Sequence, residues 1–380
     1  MIPEDVLVDI LLRLPVKSII QYKSVCKSWR LLITDTSFTR LYYSRSYRNS
    51  EIKLLITSDY NRSPFGDKQK PQIFFSIDSE VCDYAENLSL LLPPFKINDA
   101  FIVGVFNGIF CLSDYRGMVS LWNPTIREHV KLPNMIPMCL HQLQCSSVIM
   151  GLGGYNQGRE DIYKVVRIAF FYEQFHRNFS ACEVTVYTLG MHSSWRIINN
   201  ESPLRPFYIM SPGNVIHLNG AIHWVGALCE VPTVCNTGIS FWDYPKIIPC
   251  FDLKNERFGE IPWRNENVPH RYHHMSLADL RGFLCIGLHD IHKVEIWIMK
   301  DYGVKSSWGK IYCVPNIDPI KAIVIQKKGD ILMQRGEGTL LVYDPSREKE
   351  KLKLRFPASN IDVLKAYPYV PSIFSIESFQ

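Results

Sequence analysis

Residues 3–29, PEDVLVDILLRLPVKSIIQYKSVCKSW, carry more apolar side chains than so short a stretch can bury on itself. Pro3 suits the first turn of a helix, and Glu4 and Asp5 complement the positive end of its dipole. Val6, Leu7, Ile10, Leu11 and Leu14 recur at three- and four-residue steps and give one broad apolar stripe. Pro15 stops this helix, because its ring and missing N–H oppose continuation. A second short helix is predicted from Lys17 to Val25, with Ile19, Ile20 and Tyr22 apolar, and a third carries Val25, Trp29, Leu32 and Ile33. Asp35, Thr36 and Ser37 supply a turn and cap before Phe38 and Leu41. Three helices in about 40 residues lie at the lower limit of independent stability, so part of their surface is expected to be covered by a partner or by the rest of the chain.

That remainder is long. With 380 residues, 47% apolar and 12% aromatic, the chain can hold a small domain and a large single-core domain. Residues 1–50 hold eight Lys/Arg against four Asp/Glu, a local excess that suits an acidic protein surface and is too sparse for nucleic acid. The eleven cysteines are never spaced CxxC; Cys26, Cys82, Cys111, Cys285 and Cys313 lie in apolar stretches and read as reduced core residues. No apolar run approaches the roughly 18 residues of a membrane span. A soluble protein in a reducing compartment is expected, in the cytoplasm and also the nucleus.

The order Pro3-Glu4-Asp5-x-Leu7, Leu14-Pro15-Val16-Lys17-Ser18 and Val25-Cys26-Lys27-Ser28-Trp29 resembles the F-box, by which substrate receptors dock on the Skp-family adaptor of cullin-RING ubiquitin ligases. The resemblance implies an adaptor interface made by Pro3, Leu7, Ile10, Leu11, Leu14, Pro15, Val25 and Trp29, with Arg13, Lys17, Lys23, Lys27 and Arg30 around its edge. Ile2 stands where the family has leucine, which implies a weaker first contact.

From residue 51 onward the pattern changes to short runs rich in Ile, Val, Phe and Tyr, separated by Gly, Pro, Asn and Asp. One element recurs four times, a strand opened by glycine: Asn107-Gly108, Asn219-Gly220, Arg281-Gly282 and Lys328-Gly329. A second is an aromatic followed by Asn or Asp and a tight charged turn, at Trp122-Asn123, Phe251-Asp252 and Tyr343-Asp344. Corresponding aromatics at Trp122, Tyr187, Phe251, Trp297 and Tyr343 are 65, 64, 46 and 46 residues apart. Such periods, with several strands in each, predict a β-propeller. Residues 150–195 carry the glycine pair, tyrosine and later tryptophan of a kelch blade, and about six blades fit the length.

The region also resembles the plant F-box-associated domain. The matching strings are Asn107-Gly108, Trp122-Asn123-Pro124, Tyr163-Lys164-Val165-Val166-Arg167, Ser193-Ser194-Trp195-Arg196, Asn219-Gly220 to His223-Trp224, and Ile296-Trp297 to Ser307-Trp308. Within that family, residues 300–308 and the tail Val370-Pro371-Ser372-Ile373 look most like the S-locus F-box group, which acts in pollen on ribonucleases of the style. The expected fold is therefore mainly β: a three-helix F-box at 1–45, a linker and first strand at 46–72, and a kelch-like propeller at 73–380.

Sharper chemical readings fail on their own terms. His270, His273, His274, His289 and His292 have no flanking cysteine pair to help complete the four ligands of a zinc site and read as a solvated loop between blades. Gly151-Leu152-Gly153-Gly154 lacks the glycine fingerprint of a phosphate cradle and reads as tight strand packing. No nucleophile elbow is present. The expectation is a non-catalytic receptor subunit without metal or cofactor, binding the Skp-family adaptor and through it cullin, and presenting a protein client, with stylar ribonuclease as the S-locus reading. Nucleic acid and membrane are not expected partners. The alternatives are a propeller scaffold outside any ligase and a receptor in development or defence. Client-binding residues are not identified; the candidates are the long irregular segments near Asn61–Gln72, Met135–Cys145, Glu173–Phe179, Val231–Tyr244 and Asn265–His274, as loops between strands at one face of the propeller.

Overall fold

The computed structural model describes residues 3–58, 74–79, 85–87, 101–114, 117–135, 143–158, 160–173, 179–191, 194–198, 207–209, 215–228, 246–263, 274–290, 292–315, 320–335, 339–355 and 364–377. Four helices open the chain: α1 (Glu4–Leu12), α2 (Val16–Tyr22), α3 (Lys27–Thr34) and α4 (Thr36–Arg48). Pro3 and Pro15 stand at the N-caps of α1 and α2. Asp35 caps α4, its Oδ1 accepting from the N–H groups of Ser37 at 2.8 Å and Phe38 at 3.2 Å. The helical unit thus has a fourth and longest helix that the three-helix expectation missed. Where the sequence suggested a linker from residue 46, α4 continues to Arg48 and the first strand begins at Lys53.

Among the described residues the strands fall into six sheets, arranged as the blades of a propeller. Blade 1 joins the two ends of the chain: Leu364–Tyr369 pairs with Lys53–Ser58, which pairs with Phe74–Asp78 and then Ala85–Asn87. Blade 2 runs through Phe101–Phe106, Ile109–Ser113, Val119–Asn123 and Glu128–Lys131. Blade 3 has the longest strands, Leu143–Gln157 and Glu160–Glu173, followed by Phe179–Thr188 and Arg196–Ile198. Blade 4 comprises Ile216–Leu218, Ala221–His223, Lys246–Asp252 and Arg257–Ile261, widened by Gly226–Leu228 and Phe207–Ile209. Blades 5 and 6 follow the four-strand pattern from His274–Leu280 to Trp308–Pro315 and from Ile320–Ile325 to Lys349–Arg355. The first strands of neighbouring blades abut around a central axis.

Both recurring sequence elements are turns on one face of the propeller, here called the hairpin face. Asn107-Gly108, Asn219-Gly220 and Arg281-Gly282 have positive φ at both positions, and their flanking residues pair directly. These are two-residue type I′ hairpins, which only such φ values allow to match the twist of the strands. In the second element Asn123, Asp252 and Asp344 fold their side chains back: their Oδ1 atoms accept from the N–H of Thr125, Asn255 and Ser346. Each of these turns ends on a left-handed residue, Arg127, Glu256 or Glu348. The five periodic aromatics all lie on the third strand of blades 2–6, and Trp122, Phe251 and Tyr343 are buried.

The glycines of blades 2 and 3 set how closely the blades meet. A Cβ on Gly104 would lie 2.8 Å from the Leu152 backbone nitrogen, and one on Gly153 would strike the His217 ring and lie 2.8 Å from the Leu253 side chain. Gly153 therefore serves close blade packing, as its sequence context indicated. Two other readings change. Cys111 and Cys285 are buried, but Cys26 and Cys313 are exposed, and Cys82 lies outside the described residues. His274 and His289 are not loop residues but a cross-strand pair in blade 5, and His289 is buried 3.2 Å from the Ser276 hydroxyl. His270 and His273 lie outside the described residues, among which no cluster could hold a metal ion.

Candidate functional site

The helical unit packs around Leu11, Ile19, Ile33, Phe38 and Tyr42, all buried. Its stripe along α1 and the following turn divides into two rows. Leu7, Leu11 and Leu14 point into this core, while Val6 and Ile10 stand 44% and 45% exposed. Of the residues assigned to the adaptor surface, Pro3, Ile10, Pro15 and Val25 are exposed, Val25 at 58%. Leu7, Leu14 and Trp29 are half-buried against the helical core, and the Trp29 ring meets Tyr22 edge-on at 5.5 Å. Leu11 is at 0% exposure, so its role is to hold the helices together beneath that surface. The sequence reading omitted Val6 and Leu31, the latter 62% exposed. The signal for Val6 was present as the i, i+4 spacing to Ile10, a row distinct from Leu7–Leu11–Leu14.

Arg13, Lys17, Lys27 and Arg30 of the same helical unit are exposed as well. The Arg13–Asp9 pair, at 2.7 Å and open to solvent, contributes little stability and leaves both charges near the surface. Lys23 differs: burial pushes its ammonium below the ordinary lysine range, against the opposing pull of Glu128. Cys26 is exposed beside the Ser28 hydroxyl at 3.1 Å, a hydrogen bond that lowers its thiol's ordinary pKa.

A seam fixes this unit to the hairpin face. The Arg40 guanidinium of α4 reaches Asp161 of blade 3 at 2.5 Å, and Tyr43 packs on Phe374 with ring centroids 6.1 Å apart. Within the unit, the Tyr42 hydroxyl donates to the Leu14 carbonyl at 2.8 Å, and Arg45 donates to the Leu12 carbonyl. The C-terminal tail supplies the filling. Ile373 enters the helical core, whereas Phe374 and Ile376 enter the core between blades 2 and 3. Asn123 Nδ2 donates to the carbonyls of Ser372 at 3.1 Å and Phe374 at 2.9 Å. Glu128 accepts from the Ser375 hydroxyl and from the Ile376 N–H at 2.6 Å. Nothing in the sequence of this tail announced that role.

The opposite face is defined by strand ends. Strands Lys53–Ser58 and Glu160–Glu173 leave toward it, and Phe74–Asp78, Leu143–Gln157, Phe179–Thr188, Lys246–Asp252 and His274–Leu280 enter from it. All five segments assigned to client contact connect strand ends at this face. Asn61–Gln72 and Val231–Tyr244 lie outside the described residues, as does most of Met135–Cys145, Glu173–Phe179 and Asn265–His274.

Comparison with known proteins agrees with this division. A model of the F-box domain matches residues 1–41, and one of the F-box associated beta propeller domain matches residues 72–375. F-box protein At3g07870 of Arabidopsis thaliana is 27% identical, over 92% of this chain and 86% of its own length. F-box/kelch-repeat protein At3g23880 of the same plant is 26% identical over 94% and 91%. F-box protein CPR1, also from Arabidopsis thaliana, is 25% identical over 92% and 83%. Among solved structures, dihydro-heme d1 dehydrogenase NirN aligns at 10% identity over 87% of this chain and 76% of that one, with a TM-score of 0.39.

Proposed function

Because this chain belongs to the F-box proteins that carry an F-box associated β-propeller domain, we propose that it is a non-catalytic substrate receptor of an SCF-type ubiquitin ligase. The helical unit docks on a Skp-family adaptor and through it on cullin, and the propeller holds a protein client. The observation that carries this reading is the opposition of two faces. Exposed Val6, Ile10, Val25 and Leu31 lie on a helical unit seated on the hairpin face, and the segments suited to client contact connect strand ends at the other. Exposed apolar side chains together with exposed Arg13, Lys17, Lys27 and Arg30 suit a partner surface with an apolar groove and acidic surroundings. The receptor itself makes and breaks no bond. It raises the effective concentration of a client lysine near a ubiquitin thioester held elsewhere in the complex.

A stylar ribonuclease is the client supported by the resemblance of residues 300–308 and 370–373 to the S-locus group. Both strings belong to the F-box side of the molecule: the first forms the turn between the last two strands of blade 5, and the second is the tail in the seam. The ribonuclease reading therefore rests on the resemblance of these two strings and not on a client surface.

The test is reconstitution with adaptor and cullin. The intact chain should retain the adaptor and promote ubiquitination of captured clients, whereas Ile10→Glu with Val25→Glu should still bind clients and ubiquitinate none. Failure of the folded wild-type chain to retain any Skp-family adaptor would sink the receptor reading in favour of a scaffold. A panel of stylar ribonucleases, none of them bound, would remove the S-locus client while leaving the receptor intact.

A further inference from the structure

Between α4 and the inner strands of the propeller lies a cavity of about 480 Å³. Its size falls within the ~300–1,000 Å³ range of small-molecule sites, which favour boundaries between domains. The walls are apolar, built by Ile102, Val105, Leu152, Leu277 and Val324 from blades 2, 3, 5 and 6. Tyr43 and Tyr47 of α4 line it on the F-box side, their rings stacked at 6.4 Å. A crevice between α4 and the turns of blades 2–4 adjoins it, sharing Tyr43, Ser44, Phe106, Asn107, His217 and Asn219 as a common wall. An apolar chamber with an adjoining crevice at a domain seam has the form of a ligand site.

The polar groups of the chamber decide what it can hold. Most are already committed: Asn107 donates to the Tyr163 hydroxyl at 2.9 Å, the His217 ring bonds to the Gly154 backbone, and Arg281 donates to the carbonyls of Ile325 and Gln326. Asp279 is different. One of its oxygens accepts from the Gly282 N–H at 2.7 Å, and among the described residues no cation lies within salt-bridge distance of it. Removal from water pushes its carboxyl up to about 6, and both tyrosines feel its charge. Arg48 and Arg281 also line the chamber, but neither is ion-paired to Asp279, and Arg281 is held by the Ile325 and Gln326 carbonyls. A buried carboxylate with no ion-pair partner among the described residues, beside two phenol rings and apolar walls, is left to recognise an organic ammonium ion.

We propose that this chamber binds a compact, lipophilic organic cation, its ammonium group between Asp279 and the Tyr43–Tyr47 pair and its apolar body among the inner strands. The ligand would touch α4 of the F-box and blades of the propeller at once, so it would bridge the two domains. The site does not depend on the identity of any client.

The experiment is a fluorescence titration of the full-length chain with three matched probes: 9-(aminomethyl)anthracene, 9-anthracenemethanol and 9-anthracenecarboxylic acid. The amine should bind saturably with one site per chain and a Kd on the order of 10 µM, at least ~10-fold tighter than the alcohol, with the acid weakest. Asp279→Asn keeps the acceptor for Gly282 and should weaken the amine by at least ~10-fold while changing the alcohol by less than ~2-fold. Ser44→Trp, at the wall shared with the crevice, should weaken amine and alcohol together. Absence of saturable amine binding, or equal affinity for all three probes in the wild-type chain, overturns the proposal without any variant. Amine affinity unmoved by Asp279→Asn overturns it as well. None of these outcomes bears on adaptor docking, which is read separately by retention of the adaptor.

Discussion

Asn123→Asp separates two tasks that a single side chain performs on the hairpin face. In blades 4 and 6 the equivalent turn position is aspartate, and Asp252 and Asp344 close their turns by accepting backbone N–H groups, as Asn123 Oδ1 does from Thr125 at 3.0 Å. An aspartate at 123 can therefore keep the turn. What it cannot do is donate, and the amide of Asn123 satisfies the buried carbonyls of Ser372 and Phe374. Leaving a buried acceptor unpaired costs about 1–3 kcal/mol, so two such losses amount to ~2–6 kcal/mol, and an ionised carboxylate facing two carbonyl oxygens adds to that. The loss falls on the tail, not on the propeller, because the blades keep all their strand pairing. At 1.4 kcal/mol per factor of ten, amides of residues 370–377 should exchange with solvent at least ~30-fold faster. Native-state hydrogen exchange on the full chain reads this directly, with the Phe374 and Ile376 amides as reporters and blade 5 as the internal control. Tail protection within ~3-fold of wild type would refute the argument that the amide holds the tail. An equal loss of protection throughout blades 2–6 would refute it differently, by showing that the tail and the propeller open as one unit.

Three further outcomes follow from the same geometry. Ile10→Glu and Val25→Glu, on exposed side chains, should abolish adaptor retention with less than ~0.5 kcal/mol change in stability, whereas Leu11→Ala should cost ~2–5 kcal/mol in a urea melt; equal destabilisation by all three would remove the distinction between surface and core. Gly108→Ala combines φ of +73° with a Cβ 2.6 Å from the Val370 carbonyl, while Gly329→Ala combines φ of +87° with open space. The first should lower stability by clearly more than the ~1–2 kcal/mol expected for the second, and equal melting temperatures would refute it. Acid should destabilise the fold: burial holds His129 and His217 at about 4 and His223 at about 3, so the stability they contribute is present above pH 6.5 and lost as pH falls toward 4. Asp279 works the other way, its contribution being present below pH 3.8 and lost as pH rises through about 6. Three protons taken up by the unfolded chain against one by the folded chain leave a net slope of order 2–3 kcal/mol per pH unit near pH 5. Urea midpoints at pH 7, 6, 5 and 4 measure it, and a flat profile would contradict the burial of these imidazoles.

The propeller was legible because its signals are local. A type I′ turn needs two residues of positive φ, so Asn107-Gly108 and Asn219-Gly220 stand out in any β pattern, and an Asx residue after a strand aromatic marks the other turn. Blade 1 carries no such signal. Lys53–Ser58 finds its partner in Leu364–Tyr369, some three hundred residues away, and only closure of the ring makes that pairing necessary. Helix α4 was missed for a different reason. Its sequence, TSFTRLYYSRSYR, buries Phe38 and Tyr42 on the helical core and presents Tyr43 and Tyr47 to the propeller, so no single aliphatic stripe appears. The exposed apolar side chains of the helical unit were legible by position and blurred by face. Five apolar residues at helical spacing on α1 and the turn after it looked like one stripe, and their division into Val6–Ile10 and Leu7–Leu11–Leu14 depends on α4, which packs on the second row.

The connection between the two units bears on how such a receptor works. Only Asn49 to Ile52 separate the end of α4 from the first strand, and the tail returns from the last strand of the ring to pack between helices and blades. Both chain ends of the propeller thus run into the F-box seam. A receptor joined to its adaptor-binding unit by a flexible tether would sample many client positions, and the effective concentration at a distant thioester would fall with the volume explored. Here α4, the Arg40–Asp161 pair and the tail convert that tether into a fixed angle. On the proposed reading, client choice can diverge through the segments that follow the strand ends of the opposite face without altering reach, because those strand ends take no part in the seam. The residues of the seam are spread over the turn at 123–128, α4 and residues 372–376, each held in place by a different blade or helix. Loosening any one should therefore leave a folded propeller with a less fixed angle to the helical unit, as the exchange experiment on Asn123→Asp tests.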